Sequence, residues 1–595
     1  MPIATASTSS INKKLETSAP VDSSGPKDGL RETIESIVIA FVLAFLFRTF
    51  EAEAFVIPTG SMAPTLMGRH YDTTCPKCKI PLKIGGSEDV DDAAHDQGRR
   101  LQQHVCPNCR YVAEYPRDAP PGLWPYNGDR IIVSKFPYEV GDPQRWDVAV
   151  FRYPATPKTN YIKRITGLPN ETVMIRSGDI FTLPANSAQA DDFHIQRKPP
   201  HKVLAMLQTV HDNDFIPEEM RKNGWPSRWQ GAEGEGAAWK VSSDGKSYQI
   251  DGQQPAATWL RYQHLVPNSD EWEQLLAGPL SEKTRQSIRP QLISDMYAYN
   301  SREMFSRYDE DRMGLHWVGD LAVECQLKVE QPQGKVTLEL IEAGHGHRCQ
   351  FDLATGEATL TIDSAPEFRA KAKTKVRGPC TVNLRFANID DQLLLWVNDS
   401  LIEFDGPATF ASTPNEQPTI EDWSPVGIAV EGTSATVDHL RILRDIYYIA
   451  DQYVENAGRL GIVSDYRGLP DLDRDYTPLS MYLQLDSTGK PAPLPKSAPV
   501  KFRLGPDEFL ALGDNSPKSK DSRLWDSKVR DPKTGAERLE YFVSRDLLVG
   551  KAMFIYWPHA WAPDWAYPIA TRRLGGNMTF RVPFYPNFGR MQFIR

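Results

Sequence analysis

The segment Phe55-Val-Ile-Pro-Thr-Gly-Ser-Met-Ala-Pro-Thr-Leu66 sets one serine, Ser61, between two prolines. Such a serine is a nucleophile only where a base takes its proton; otherwise it is an ordinary turn residue. The pattern is not the Gly-x-Ser-x-Gly elbow of hydrolases, which sits between a strand and a helix. The 12 histidines include His345 and His347 in Gly344-His-Gly-His347, but nothing ties either to Ser61, and the doublet reads as a β-turn tip. Cysteine supplies a second chemistry. Cys75-Pro-Lys-Cys78 and Cys106-Pro-Asn-Cys109 are separated by 27 residues. Two C-x-x-C knuckles suit one tetrahedral zinc held by four thiolates. Two disulfides are the competing reading if the segment lies outside the cytoplasm, where thiols oxidise. Either way the element, over residues 70–112, is a staple, because four protein ligands leave no open position for catalysis. The loop between the knuckles carries Glu88, Asp89, Asp91, Asp92, His95 and His104.

Several segments must position these groups. Asn127-Gly-Asp-Arg-Ile-Ile-Val-Ser-Lys-Phe-Pro-Tyr138 reads as a turn feeding a strand, and Trp146-Asp-Val-Ala-Val-Phe-Arg-Tyr153 as a second strand. Tyr161-Ile-Lys-Arg-Ile-Thr-Gly-Leu-Pro-Asn170 is a strand carrying Lys163 among apolar neighbours. On pattern alone Lys163 is a surface lysine beside Arg164. Far downstream stands Leu512-Gly-Asp-Asn-Ser-Pro-Lys-Ser-Lys-Asp-Ser-Arg-Leu-Trp525.

In this order, behind an apolar N-terminal segment, these blocks resemble the bacterial type I signal peptidases, the membrane-bound Ser/Lys endopeptidases of the secretory pathway. The matching residues lie within 31–190 and 501–560. The resemblance implies a mostly β fold, with a signal-peptidase β-barrel-like catalytic core split by inserts. It also implies that Ser61 is the nucleophile and Lys163 its general base. An ammonium of pKa about 10.4 cannot act as a base at neutral pH, but desolvation favours the neutral amine. Ile162 and Ile165 would supply that desolvation. The oxyanion would be met by the Ser61 backbone N–H and the Thr59 hydroxyl, where many relatives carry serine. Ser519 matches the serine that orients the lysine. Asp514, Asp521 and Arg523, with Arg164, match a charged framework in which an Asp–Arg pair holds the active-site loop. Lys518 and Lys520 beside Ser519 are expected to be solvated. Trp525-Asp526 departs from the relatives, which carry an aromatic followed by glycine. No cofactor is expected for catalysis, and one structural zinc is expected at Cys75, Cys78, Cys106 and Cys109. The implied substrates are signal-peptide-bearing preproteins with small side chains at the first and third positions before the cut.

The middle of the chain carries none of these blocks. Residues 191–290 combine a short helical pattern at Lys202–Val210 with irregular chain containing Trp225, Trp229, Trp239, Trp259 and Trp272, and suggest no fold. Residues 291–450 alternate cleanly: Leu321, Val323, Cys325, Leu327 and Val329 share one face, as do Cys349, Phe351 and Leu353. Short strands with polar turns predict an antiparallel sandwich, and the stretch resembles a laminin-G/concanavalin-like jelly roll. Cys325, Cys349 and Cys380 have core parity and are expected to be buried small hydrophobes. Glycan or protein is the ligand class expected of such a sandwich, with a spacer or inhibitory cap as the other role.

Residues 36–47 are an apolar run closed by Arg48. Extended over 31–50 it predicts one transmembrane helix, with a buried soluble helix and a cleavable signal peptide as the alternatives. Lys13, Lys14, Lys27 and Arg31 before it favour a cytoplasmic N-terminus and an extracytoplasmic catalytic domain at the plasma membrane, in contact with lipid. With 595 residues, 40% hydrophobic and 24% charged, the chain is neither disordered nor a polytopic membrane protein. A formal charge of −9 gives no general basic character, so nucleic acid is not an expected partner. The expected organisation is a disordered tail over 1–30, the helix over 31–50 and catalytic core over 51–190. An insert of unknown fold over 191–290 and the sandwich over 291–450 follow. A connector over 451–500, the second part of the core over 501–574 and a tail over 575–595 complete it. The expected function is signal-peptide removal by a membrane-anchored serine endopeptidase. The alternative from another class is a cell-surface glycan- or protein-binding module on a peptidase-like scaffold.

Overall fold

The computed structural model describes residues 29–46, 51–87, 101–115, 125–187, 192–231, 238–252, 256–303, 313–412, 417–456, 459–463, 494, 499–530, 535, 537–558, 560–561, 567–571, 578–582, 585–586 and 588–595. The chain forms two units, residues 1–52 and 53–595. In the first, Gly29–Leu46 is a helix with Ile34, Ile37, Val38, Ile39, Phe41 and Val42 exposed. The expected transmembrane helix over 31–50 is not supported. Among the described residues no helix is long and apolar enough to cross a membrane. The physical reason is visible in the sequence: Arg31, Glu32 and Glu35 occupy the first turns and leave only a short apolar run. The tail expected over 1–30 lies almost wholly outside the described residues.

The second unit is mostly β. A seven-stranded sheet runs in the order Ala52–Val56, Arg130–Ser134, Leu548–Trp557, Val148–Tyr153, Thr156–Gly167, Glu508–Leu512, Val543–Ser544. The segment Val148-Ala-Val-Phe151 is buried throughout, as suits a central strand covered on both faces. A four-stranded sheet, in the order His194–Ile195, Asp179–Pro184, Glu171–Arg176, Val500–Arg503, packs its apolar residues with Leu510 and Leu512. The chain leaves this sheet after Ile195 and rejoins it at Val500, so the same apolar cluster holds Val173, Ile175, Val500 and Phe502. Residues 588–595 return to the first sheet: the Ile555 N–H donates to the Gln592 carbonyl at 2.9 Å and the Ile594 N–H to the Met553 carbonyl at 2.8 Å.

Between these ends lies the sandwich. Its eight-stranded sheet centres on Leu321–Val329, flanked by Cys380–Ile389 and Ala435–Arg444; its seven-stranded sheet contains Val426–Glu431, Lys335–Glu342 and His345–Asp352. Leu321, Val323, Cys325, Leu327 and Val329 face the shared core together with Cys349, Phe351 and Leu353, as their alternation predicts. Cys380 is half-buried, and all three of these cysteines are free. His345 opens a strand directly after the turn at Ala343 and Gly344, both with positive φ.

Two sequence readings change. The sandwich draws on chain from before residue 291: Gln208–Asp212 and Tyr248–Ile250 pair with Ala435–Arg444, and Thr258–Tyr262 with Val426–Glu431. The helical pattern at Lys202–Val210 breaks at Leu207, where the helix Pro200–Met206 ends in extended backbone, and Thr209-Val210 joins a strand. Pairing with a long neighbour overrides a weak helical preference there. Another part of 191–290 packs on the cysteine element. Trp225, Leu265, Trp272 and Leu275 share an apolar cluster with Cys75, Cys78, Cys106 and Cys109, and Trp272 Nε1 donates to the Cys109 carbonyl at 2.8 Å.

Candidate active site

Ser61 lies in the short 3-10 turn Gly60–Met62, whose three residues are all buried. The turn sits against backbone that only glycine allows: a Cβ on Gly68 would stand 2.1 Å from the Thr59 carbonyl carbon, and one on Gly128 1.9 Å from the Ile57 oxygen. Lys163 lies on the strand Thr156–Gly167, directly opposite Ala149. Strand side chains alternate between faces, so Lys163 and Arg164 point opposite ways. Lys163 Nζ donates to Ser61 Oγ at 2.6 Å, and both side chains are buried. The Lys163 ammonium position also lies 5.4 Å from the centre of the Tyr161 ring.

Arg164, on the other face, forms a bidentate pair with Asp514: Nε to Oδ1 at 2.7 Å and Nη2 to Oδ2 at 2.6 Å, with both side chains fully enclosed. Thr65 Oγ1 donates to the same carboxylate at 2.5 Å, and Arg164 Nη1 donates to the Trp146 carbonyl at 2.8 Å. This pair ties the strand of the lysine to both the turn of the serine and the 512–525 block. Arg523 pairs with Asp521 in the same bidentate way, at 2.8 Å for both contacts, and Asp521 also accepts from the Gly513 N–H at 2.9 Å. Arg523 in turn donates to the Ser516 carbonyl and hydroxyl, so it closes the 512–525 loop on itself. Where one Asp–Arg pair was expected, the loop is held by two.

Ser519 is placed against the turn of Ser61 but not bonded to Lys163. Its Oγ is buried and has no hydrogen-bond partner among the described residues. A Cβ on Gly513 would stand 2.1 Å from Ser519 Oγ and 2.5 Å from the Ser61 carbonyl oxygen, so Gly513 marks where the loop and the turn of Ser61 touch. Thr59 is half-buried at the start of the turn, and its side chain makes no capping bond. Trp525 is buried and packs edge-on against Phe151, Tyr153 and Tyr161. Trp525 thus braces the strand that carries Lys163, and the departure from the relatives is confined to Asp526, where they carry glycine.

The four knuckle cysteines are free and buried, with all four Sγ atoms within 4.8 Å of one another. Cys75 Sγ lies 3.6 Å from Cys109 Sγ and Cys78 Sγ 3.5 Å from Cys106 Sγ. Zn–S bonds of about 2.3 Å in a tetrahedron put sulfurs about 3.8 Å apart, close to these separations. Each knuckle is the tip of a hairpin, His70–Thr74 with Pro81–Gly85 and Gln103–Val105 with Val112–Glu114. The two match in detail: Lys79 and Arg110 have positive φ and donate to the Cys75 and Cys106 carbonyls. Hydrogen bonds from the other thiols pull the Cys75 thiol down, while burial pushes Cys106 and Cys109 up. Glu88, Asp89, Asp91, Asp92 and His95 lie outside the described residues. His104 is buried and stacks on Tyr115. Sequence reasoning missed a second group, in which carboxylate oxygens of Asp179, Asp320 and Asp390 come within 4.8 Å of one another. Buried Lys198 pairs with Asp390 there, and with Asp445 at 2.7 Å, giving the group a cation from the chain itself.

Residues 124–219 match the family described as Signal peptidase, peptidase S26. The chain is similar to the Signal peptidase I of Pseudomonas fluorescens, 52% identical over 62 residues, which is 8% of this chain and 22% of that protein. It is also similar to a probable signal peptidase I-2 of Synechocystis (24% over 213 residues, 35% of this chain, 69% of that protein). Signal peptidase I P of Bacillus subtilis subsp. natto matches at 24% over 211 residues, 34% of this chain and 80% of that protein. The chain spans only about a fifth of the first of these relatives. A solved carbohydrate-binding module from Bacillus subtilis superimposes at TM-score 0.21 and 11% identity, covering 36% of this chain and 95% of that one. So low a score carries no argument about a ligand.

Proposed function

We propose that this protein is a serine endopeptidase that removes N-terminal signal peptides from exported preproteins by a Ser61/Lys163 dyad. The observation that carries this reading is the buried 2.6 Å contact between Lys163 Nζ and Ser61 Oγ, with Lys163 inside the segment that matches the peptidase family.

In this mechanism the neutral Lys163 amine takes the Ser61 proton as Oγ attacks the scissile carbonyl. The Ser61 N–H and the Thr59 hydroxyl face the developing oxyanion, where donors fixed in advance act most strongly. The Lys163 ammonium then returns its proton to the leaving amine. Water, deprotonated by the same lysine, attacks the acyl-enzyme, and the Lys163 ammonium returns that proton to the departing Ser61 Oγ as the second product leaves. The Arg164–Asp514 and Arg523–Asp521 pairs hold the strand and loop in register. Ser519, whose buried Oγ has no other partner among the described residues, would orient the amine as the proton moves.

A single structural zinc at Cys75, Cys78, Cys106 and Cys109 would fix the two hairpins to each other, with no part in the reaction. The exposed apolar side chains of Gly29–Leu46 support contact with lipid, and the basic residues before them support a cytoplasmic N-terminus. The binding-module alternative would leave the Ser61–Lys163 contact without a use.

The test is cleavage of a model preprotein in detergent by the full chain, wild type beside Ser61→Ala. Wild-type cleavage that vanishes in the variant is the expected result. Equal cleavage, or none by either, overturns the reading.

A further inference from the structure

The 512–525 loop touches the nucleophile turn through Asn515. The Asn515 N–H donates to the Ser61 carbonyl at 3.0 Å, and its side-chain Nδ2 donates to the Gly60 carbonyl at 3.1 Å. The Gly60 carbonyl and the Ser61 N–H belong to one rigid peptide plane. Holding that carbonyl therefore sets the direction of the Ser61 N–H, the backbone donor of the proposed oxyanion site. The Ala63 N–H donates to the same carbonyl at 3.0 Å, within the turn itself.

Asn515 can do this only in one orientation. Rotated by half a turn, its amide would set Oδ1 against the Gly60 oxygen, acceptor against acceptor. The group that opposes that rotation comes from the middle of the chain. Asn300 Nδ2 donates to Asn515 Oδ1 at 2.8 Å, and Asn515 Nδ2 donates to Asn300 Oδ1 at 2.8 Å. This reciprocal pair joins residues 215 positions apart. Next to Asn300, the buried ring of Tyr299 fills the space over Gly60, where a Cβ would stand 2.3 Å from Tyr299 Cε1. The same ring covers Gly85 at the end of the Pro81–Gly85 strand, on the cysteine element. The short turn Ala298–Glu303 is thus seated on both the nucleophile turn and the knuckle hairpin.

We infer that Asn300 is a positioning residue of the peptidase site, which locks the Asn515 amide and through it aims the Ser61 N–H at the oxyanion. The inserted chain is then a working part of the active site. This rests on the proposed Ser/Lys peptidase, and it concerns a residue outside the segments that resemble the family.

The experiment compares full-length wild type, Asn300→Ala, Asn515→Ala and the double variant in preprotein cleavage, with hydrogen–deuterium exchange on each. For Asn300→Ala the expected result is a kcat lower by about 10- to 100-fold, since small misplacements of a reacting geometry cost that much, with KM within about 3-fold. The double variant should be no slower than Asn515→Ala alone, because Asn300 acts through Asn515. Amides of residues 60–66 should exchange faster in Asn300→Ala, with the sandwich strands unchanged. An unchanged kcat, a change confined to KM, additive losses or unchanged exchange over 60–66 would each overturn the inference. Ser61→Ala runs alongside. If wild type shows no Ser61-dependent cleavage, the peptidase reading falls, and the exchange data alone decide whether Asn300 holds the turn.

Discussion

Lys163 Nζ and Ser61 Oγ stand 2.6 Å apart, brought together across 102 residues by the strand Thr156–Gly167 and the turn Gly60–Met62. The strand's alternation sends Lys163 to the serine and its neighbour Arg164 to Asp514, so one short stretch makes both the contact of the proposed dyad and the enclosed ion pair.

The dyad predicts that Ser61→Ala and Lys163→Met each lower preprotein cleavage by at least about 1,000-fold. Lys163→Met keeps a long apolar side chain in the same site, so its melting temperature should stay near that of wild type. Cleavage within about 10-fold of wild type in either variant would contradict the assignment.

The enclosed Arg164–Asp514 pair predicts a large cost for breaking it from one side. Asp514→Asn leaves the guanidinium uncompensated and should destabilise the protein by about 3–5 kcal/mol. The double variant Arg164→Met/Asp514→Leu should cost less than the sum of its parts. Thermal and urea denaturation of wild type, Arg164→Met, Asp514→Leu and the double variant gives the coupling directly, and strictly additive losses would mean that the pair does not act as a unit.

At Gly513 the fold leaves no room for a side chain. Gly513→Ala would place a Cβ 2.1 Å from Ser519 Oγ and 2.5 Å from the Ser61 oxygen. The collision should push loop and nucleophile turn apart and lower kcat by about 100-fold. A steady-state comparison with wild type reads the effect, and a fully active variant would show that the contact is not tight.

The sulfur site predicts one tightly held zinc per chain by elemental analysis of the reduced protein, lost on Cys75→Ser. Cobalt exchanged into the site should give the thiolate-to-metal absorption of a tetrahedral four-sulfur centre. Four sulfurs found as two disulfides, with no metal, would decide for the other reading.

Buried His347 carries a pH signature. Burial lowers its pKa to about 4, against about 6.5 in the unfolded chain. Above pH 6.5 both states are neutral and the group has no effect. Between 6.5 and 4 the unfolded chain takes up the proton first, so stability falls as the pH falls, by about 3 kcal/mol in all. His347→Phe, which keeps a ring beside Phe410, should lose less stability than wild type between pH 7 and pH 4.5. Parallel losses in the two proteins would rule His347 out as the source.

Short-range patterns were legible in the sequence because they depend only on neighbours along the chain. The Pro-Thr-Gly-Ser-Met block, the two C-x-x-C knuckles and the two-residue period of Leu321–Val329 pointed to the serine turn, the four-sulfur cluster and the sandwich core without knowledge of any partner. The apolar run at 36–47 was legible as a helix, but the charges beside it kept it too short to count as a span. What only the tertiary structure decided is who meets whom. That Arg164 takes Asp514, that Trp525 braces the lysine strand, and that Asn300 reaches Asn515 are contacts between segments hundreds of residues apart. No local periodicity encodes them, because each depends on where several sheets bring distant chain together, and a polar pair buried between them leaves no pattern in either stretch of sequence.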